Sequence, residues 1–478
     1  MLAILTLFPV SAWTAEPENE GRIDLLTVYQ QALANNTAYR ASLATLEGQK
    51  YEWDKSRAQL MPSISLSGSV NKYQYESLSE FTTTEVVNTP PADSDQTGDN
   101  STGNQTNKPQ VIHGTKIQKN TYDYKQRYYG LGLRQPLYRP QTWIQYQKSQ
   151  QIFYRAIASI EKERQNLAAR VAQAYFDVLL SQDQLVMIRA QLAAYELRLK
   201  QAQRGLTAGT STKTDLYDVQ AQRDITAAQE EEVRNNLALS FQTLSTLTTL
   251  PIDQIRALDP GQLPTDPVAG RKIDEWASQA TTIHPELDRL RYEVVAAEHD
   301  LSSAKAGHYP VLDLVARRQV STNYGDLQDI QGVGKGSSTT SVGLEASLPI
   351  FSGGYVNATI DQARLNLDRS REQLDASLRE ILIRVRQEYD RLIQGQKKIK
   401  AYQQAEASSE LAAKATEKGI QAGTRTMVDS LLTQQNLYAT RRNLAQARYD
   451  FVKSYVNLRL HAGELTEELM QQVNSWLK

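Results

Sequence analysis

The 478-residue chain reads as a mixed α+β membrane protein: three copies, each giving four strands, close a twelve-stranded β-barrel that a long α-helical barrel continues. Three observations predict this: an internal duplication, four short segments of alternating polarity, and two helical stretches too long for a globular domain. Aligning Val171-Ala-Gln-Ala-Tyr175 with Val385-Arg-Gln-Glu-Tyr389 gives an offset of 385 − 171 = 214. The same register carries Gly205 to Gly419, Ala208-Gly209-Thr210 to Ala422-Gly423-Thr424, Thr212 to Thr426, Asp215 to Asp429, Gln220 to Gln434 and Arg234 to Arg448. A register held this long marks two copies of one unit. Pro62 pairs with Pro310 at 248 and Pro136 with Pro349 at 213, so copy one carries 248 − 213 = 35 extra residues between its prolines.

In chain order, residues 1–15 (MLAILTLFPVSAWTA) form an apolar run before an acidic segment, the pattern of an export signal cleaved after Ala12 or Ala15. Residues 16–249 hold the first copy. Its helical stretch, about 25–60, leads into a strand at about 63–75, where Ile64, Leu66, Gly68 and Val70 alternate with Ser63, Ser65, Ser67 and Ser69. A polar loop within about 76–120 is too poor in apolar residues to build a core, and the partner strand returns at about 126–137. A helix over about 141–204 then extends on the order of 100 Å at ~1.5 Å per residue. It breaks at Gly205-Leu-Thr-Ala-Gly209, and a return helix of about forty residues follows.

Residues 250–272, with Pro251, Pro260, Pro264 and Pro267, link the copies. The second copy, 273–464, repeats the order: a helix opened by His284-Pro285, strands at about 311–321 and 340–350 around a loop at 322–340, a long helix over about 354–418, and a return helix after Gly419-Ile-Gln-Ala-Gly423. Residues 465–478 are left as a tail. Four short strands cannot close around a channel, so oligomerisation is the physical way out, with polar positions lining the lumen and apolar ones meeting lipid. Tyr73, Tyr75, Tyr122, Tyr124, Tyr128 and Tyr129 flank the first pair, where an aromatic girdle would sit.

Composition narrows the function. Lysine plus arginine number 53 against 54 acids, which argues against a nucleic-acid partner. With no cysteine, disulfides, thiolate metal sites and a lipidated N-terminal cysteine are excluded. No apolar run reaches the roughly 18 residues of a spanning helix. His113, His284, His299, His308 and His461 show no metal-ligand spacing, and Gly332-Val-Gly-Lys-Gly336 lies in a loop without a following helix, so neither an enzyme nor a cofactor is expected. Glu230-Glu231-Glu232 is read as the wet face of a helix. A trimeric coiled-coil adhesin without transport activity is the alternative, disfavoured because the strand pairs lie inside each copy.

The duplicated helix-strand-strand-helix plan, Leu60-Met-Pro-Ser-Ile-Ser-Leu66, Leu348-Pro-Ile-Phe-Ser-Gly-Gly354 and Gln421-Ala-Gly-Thr-Arg-Thr-Met-Val-Asp429 resemble the TolC family of outer-membrane channels. The resemblance implies a homotrimer in outer-membrane lipid, a periplasmic helical tunnel, and docking of a periplasmic adaptor and an inner-membrane pump or ABC transporter. It further implies an exit duct for efflux or type I secretion, gated at the helix turns. Arg425 and Asp429 match the family's turn motif, Thr214 and Asp215 its first-copy counterpart, and Gly205, Gly209, Gly419 and Gly423 the turns near the adaptor contact. Spacing alone puts Arg425 and Asp429 at i, i+4 on one helix face. Where the family often has a second aspartate and a tyrosine, this chain has Leu432 and Ile420. Asp218, the repeat equivalent of Leu432 (432 − 214 = 218), is expected to supply the second charge.

Overall fold

The computed structural model describes residues 22–87, 110–249, 251–268, 270–325 and 335–478. The expected signal segment and the centres of both polar loops lie outside the described residues. Contacts divide the chain into two compact units that cut across the duplication, each drawing on both copies. The helical unit holds the chain up to Lys55 with Ile144–Ala304 and Tyr355–Lys478; the sheet unit holds Ser56–Trp143 and Lys305–Gly354.

In the helical unit, α1 (Leu25–Asn35) and α2 (Thr37–Ala58) replace the single expected helix. The break is at Asn36, whose backbone is extended and whose Oδ1 accepts from the Tyr39 N–H at 3.1 Å. Copy two repeats it 248 residues on: α5 (Ile273–Ile283) stops at His284, and α6 (Pro285–Lys305) starts with the Glu286 N–H donating to His284 Nδ1 at 3.1 Å. Each side chain therefore caps the next helix while the chain changes direction. The long helices are α3 (Pro140–Thr207) and α7 (Tyr355–Gln421); the return helices are α4 (Lys213–Thr248) and α8 (Met427–His461). Among the described residues, no helix is long and apolar enough to cross a membrane.

The core gathers Tyr29 of α1, Tyr175 and Phe176 of α3, Trp276 of α5, Val385 and Leu392 of α7, and Val452 and Leu458 of α8. Trp276 is fully buried with the Arg271 and Arg459 guanidiniums 4.5 and 4.8 Å from its ring centre, so cation–π attraction adds to its burial. The expected tail is instead packed. Residues Glu467–Asn474 form α9, capped by Thr466, and bury Leu469, Met470 and Val473. Asn474 bonds Asp24 at 3.0 Å, Trp476 meets Tyr455 edge-on at 5.0 Å, and the Lys478 N–H reaches the Ala257 carbonyl at 2.9 Å. The stretch is too short to reveal its apolar face without the surface it packs on.

The sheet unit is one antiparallel sheet in the order β1-β2-β3-β4: β1 Ser63–Val87, β2 Gln110–Tyr138, β3 Val311–Gly325 and β4 Gly336–Ser347. β1 and β2 pair without a bulge from Ser63↔Arg134 to Val87↔Gln110, so about half of the expected polar loop is strand. Threonine and β-branched residues satisfy a hydrogen-bonded ladder without needing a core. Register separates two faces. One carries Ile64, Leu66, Val70, Leu131, Val342 and Leu344, with Leu66 80% and Val342 72% exposed; the other carries Ser63, Ser65 and Ser67 beside Arg134, Gly132 and Gly130.

The tyrosines follow parity rather than sequence proximity. Tyr73 and Tyr75 share the serine face with Tyr122, Tyr124 and Tyr128, where Tyr73 stacks on Tyr124 at 5.0 Å and Tyr75 on Tyr122 at 6.4 Å. Only Tyr129 of the expected girdle falls on the apolar face, because strict alternation sends residues one apart to opposite sides. Near the prolines, buried Asp313 accepts from Arg139 Nε at 2.7 Å, while Glu345 pairs with Arg134 at 2.6 Å and Arg317 at 2.8 Å.

Candidate functional site at the helix turns

Both long helices end in one and the same turn. The Gly205 carbonyl accepts from the N–H groups of Thr210 (2.8 Å) and Ser211 (3.2 Å); the Gly419 carbonyl accepts from Thr424 (2.8 Å) and Arg425 (3.2 Å). Gly209 (φ 74°) and Gly423 (φ 70°) take the left-handed conformation that glycine adopts without a Cβ penalty. A Cβ on Gly205 would lie 2.3 Å from Ser211 Oγ, and one on Gly419 would lie 2.6 Å from Arg425 Cγ. The glycines predicted from sequence thus set the turns by two separate devices: backbone handedness and close approach.

The return helices then start with reciprocal capping boxes. Asp215 accepts from Thr212 N at 2.9 Å and Thr212 Oγ1 at 2.7 Å, and its own N–H donates to Thr212 Oγ1 at 3.1 Å. Asp429 accepts from Thr426 N at 3.0 Å and donates its N–H to Thr426 Oγ1 at 3.2 Å. Each aspartate therefore satisfies an otherwise unpaired helix N-terminus, which also favours its charge. The hydrogen bonds from Thr426 hold the Asp429 carboxyl below the usual aspartate range, with Arg425 a smaller contributor.

Arg425 sits differently from the spacing-based expectation. Thr426 is the N-cap of α8, so Arg425 precedes the helix and shares no helix face with Asp429. Its stem packs over Gly419, and among the described residues its guanidinium has no carboxylate within ion-pair distance. Thr214 and Asp218 lie exposed on the first two turns of α4, with Asp218 one turn beyond Asp215.

Just inside the turns, the hairpins are tied together. Tyr195, Val219 and Leu431 form a small buried cluster with Leu199 and Met427 against it. Arg198 of α3, buried enough to pull its basicity down, donates to Glu417 of α7 at 3.0 Å. Gln435 of α8 donates to Gln222 of α4 at 2.6 Å, and Tyr438 to the Ala190 carbonyl at 3.2 Å. Sequence reasoning missed these links, since glutamines and arginines on long helices look solvated. One signal was present: the sequence separations of the Arg198–Glu417 and Gln222–Gln435 pairs, 219 and 213, lie close to the repeat offset. Copies packed side by side bring near-equivalent positions together.

A sheet with one bare apolar face and helices on the order of 100 Å long, folded back at capped turns, define an outer-membrane channel chain. The chain belongs to the outer membrane efflux protein family, whose model matches residues 28–249 and 276–464. It is 30% identical over 359 residues to the proteases secretion protein PrtF of Dickeya chrysanthemi, covering 74% of this chain and 77% of that one. To the outer membrane protein TolC of Vibrio cholerae it is 30% identical over 349 residues, covering 73% and 79%. Among solved structures it superposes on the CusC channel with a TM-score of 0.73 at 18% identity, covering 94% and 95%. The Campylobacter jejuni CmeC outer membrane channel gives 0.73 at 16%, covering 98% and 95%. The protein is an export channel of the Gram-negative outer membrane.

Proposed function

We propose that three copies close a twelve-stranded barrel in outer-membrane lipid and that the helices form a periplasmic tunnel gated at the turns. The observation that carries this reading is the four-stranded sheet with a largely exposed apolar face and two outer edges, of β1 and β4, unpaired among the described residues. Such a sheet has no stable existence in water, whereas a closed ring satisfies both its edges and its apolar face. The duct acts as a passive channel. A periplasmic adaptor and an inner-membrane pump or ABC transporter open it, and cargo is drawn from efflux substrates, secreted protein or both; the efflux-protein family match and the protease-secretion relative PrtF support that range.

Within the gate, the capped geometry divides the labour. Asp215 and Asp429 hold the turns, while Arg425 and Asp218, exposed and outside the caps, present charge to neighbouring copies. Gly205, Gly209, Gly419 and Gly423 shape the surface that meets the adaptor. Single-channel conductance in a planar bilayer tests this. A small cation-selective conductance that rises in Arg425→Ala, and a cation block that weakens in Asp218→Ala, are the expected results. A trimer without conductance in any variant would favour the adhesin alternative.

A further inference from the structure

Past Tyr75, β1 and β2 leave the sheet. β3 ends at Gly325, opposite Tyr124, so the paired segments Glu76–Val87 and Gln110–Thr121 form a two-stranded ribbon without a third strand among the described residues. At ~3.4 Å per residue the ribbon is about 40 Å long. It has no core: Leu78 is 71% and Ile117 69% exposed. An isolated hairpin is marginal in water, and two long free edges invite pairing with another chain.

Charge is completely sorted between the two strands. The β1 segment carries Glu76, Glu80 and Glu85 and no base; the β2 segment carries His113, Lys116 and Lys119 and no acid. Within the ribbon only Glu76 and Lys119 pair, at 2.9 Å, while Glu80, Glu85 and Lys116 are exposed without an ion pair among the described residues. An acidic edge on one side and a basic edge on the other cannot be satisfied by a two-fold contact, which would set like against like. They suit a head-to-tail ring, in which each acidic edge meets the next copy's basic edge.

We infer that the β1 edge of this ribbon pairs antiparallel with the β2 edge of the ribbon in the next copy. The occupant is thus a second copy of this chain, held by backbone hydrogen bonds along the edge and by Glu80 and Glu85 facing Lys116 and Lys119. The inference rests on the trimer proposed above and adds to it a contact beyond the sheet's apolar band.

The chain has no cysteine, so introduced thiols are the only ones. Two differently tagged full-length chains are co-expressed, one carrying Thr82→Cys and the other Val111→Cys, Thr115→Cys or Lys119→Cys, and treated with a short thiol cross-linker. The expected result is a mixed-tag covalent dimer for at least one β1–β2 combination, with none when both chains carry Thr82→Cys. Native mass spectrometry of the same preparation separates the two failures. No trimer would remove the assembly reading itself, whereas a trimer without mixed-tag product, or with Thr82→Cys self-links, would overturn the ribbon contact alone. In the latter case the charges only blunt free edges.

Discussion

The helical unit and the sheet unit satisfy the same physical demands by opposite means. The helices bury Tyr29, Tyr175, Phe176 and Trp276 within one chain and tie the segment entering α1 to α9 through Asp24 and Asn474. In the sheet, Leu66, Val342 and Leu344 face outward with nothing of their own chain over them. The first unit owes its stability to side chains removed from water, and the second to a ladder of backbone bonds awaiting lipid and neighbours. Changes in the helices should therefore register in the monomer, whereas changes in the sheet should register at insertion and assembly.

Acid should widen the contrast most. His284 and His461 line one small cavity with Lys162, Glu286, Glu380 and Arg384. Burial pushes both imidazoles down to about 4 from 6.5, and protonating His284 Nδ1 would forfeit the Glu286 cap. Both rings stay neutral in the fold while the unfolded chain already binds protons near 6.5. Their contribution is therefore complete above that pH and is lost as pH falls toward 4. Helical ellipticity during thermal unfolding should show Tm falling through this window, and His461→Gln should shrink the fall.

Trp276→Ala removes the largest buried side chain of the helical unit, at a cost of about 3–5 kcal/mol; denaturant unfolding in detergent should show it whether or not trimers form. Leu66→Arg puts a charge on the apolar face and should lose about 2–4 kcal/mol of insertion into lipid. Vesicle-insertion titrations should report that loss while helix unfolding stays unchanged. Thr426→Ala breaks one capping box at about 1 kcal/mol. That is too small to unfold the helices, but hydrogen exchange at Met427–Ser430 should rise while the Thr212 turn stays protected.

The parts legible in advance were those governed by short-range chemistry. The four alternating segments and the turn glycines follow from spacing within a few residues, the duplication follows from one register of 214 repeated along the chain, and Gly209 and Gly423 adopt the left-handed conformation that such a turn requires. The site was half legible. Asp215 and Asp429 lie at the turns as expected, yet their capping role and the position of Arg425 before α8 depend on where the helix begins, to the residue. The Arg198–Glu417 and Gln222–Gln435 links join helices more than two hundred residues apart and carry no local pattern.

The sequence by itself thus determined the duplication, the order of elements, the family resemblance and the residues able to turn a helix back, because periodicity and backbone handedness are local properties. Tertiary structure decided which face each tyrosine occupies, how far β1 and β2 run past the sheet, and that residues 465–478 pack as α9 rather than trail. Those outcomes turn on strand parity, where a one-residue change of register would exchange the two faces, and on surfaces supplied by distant segments.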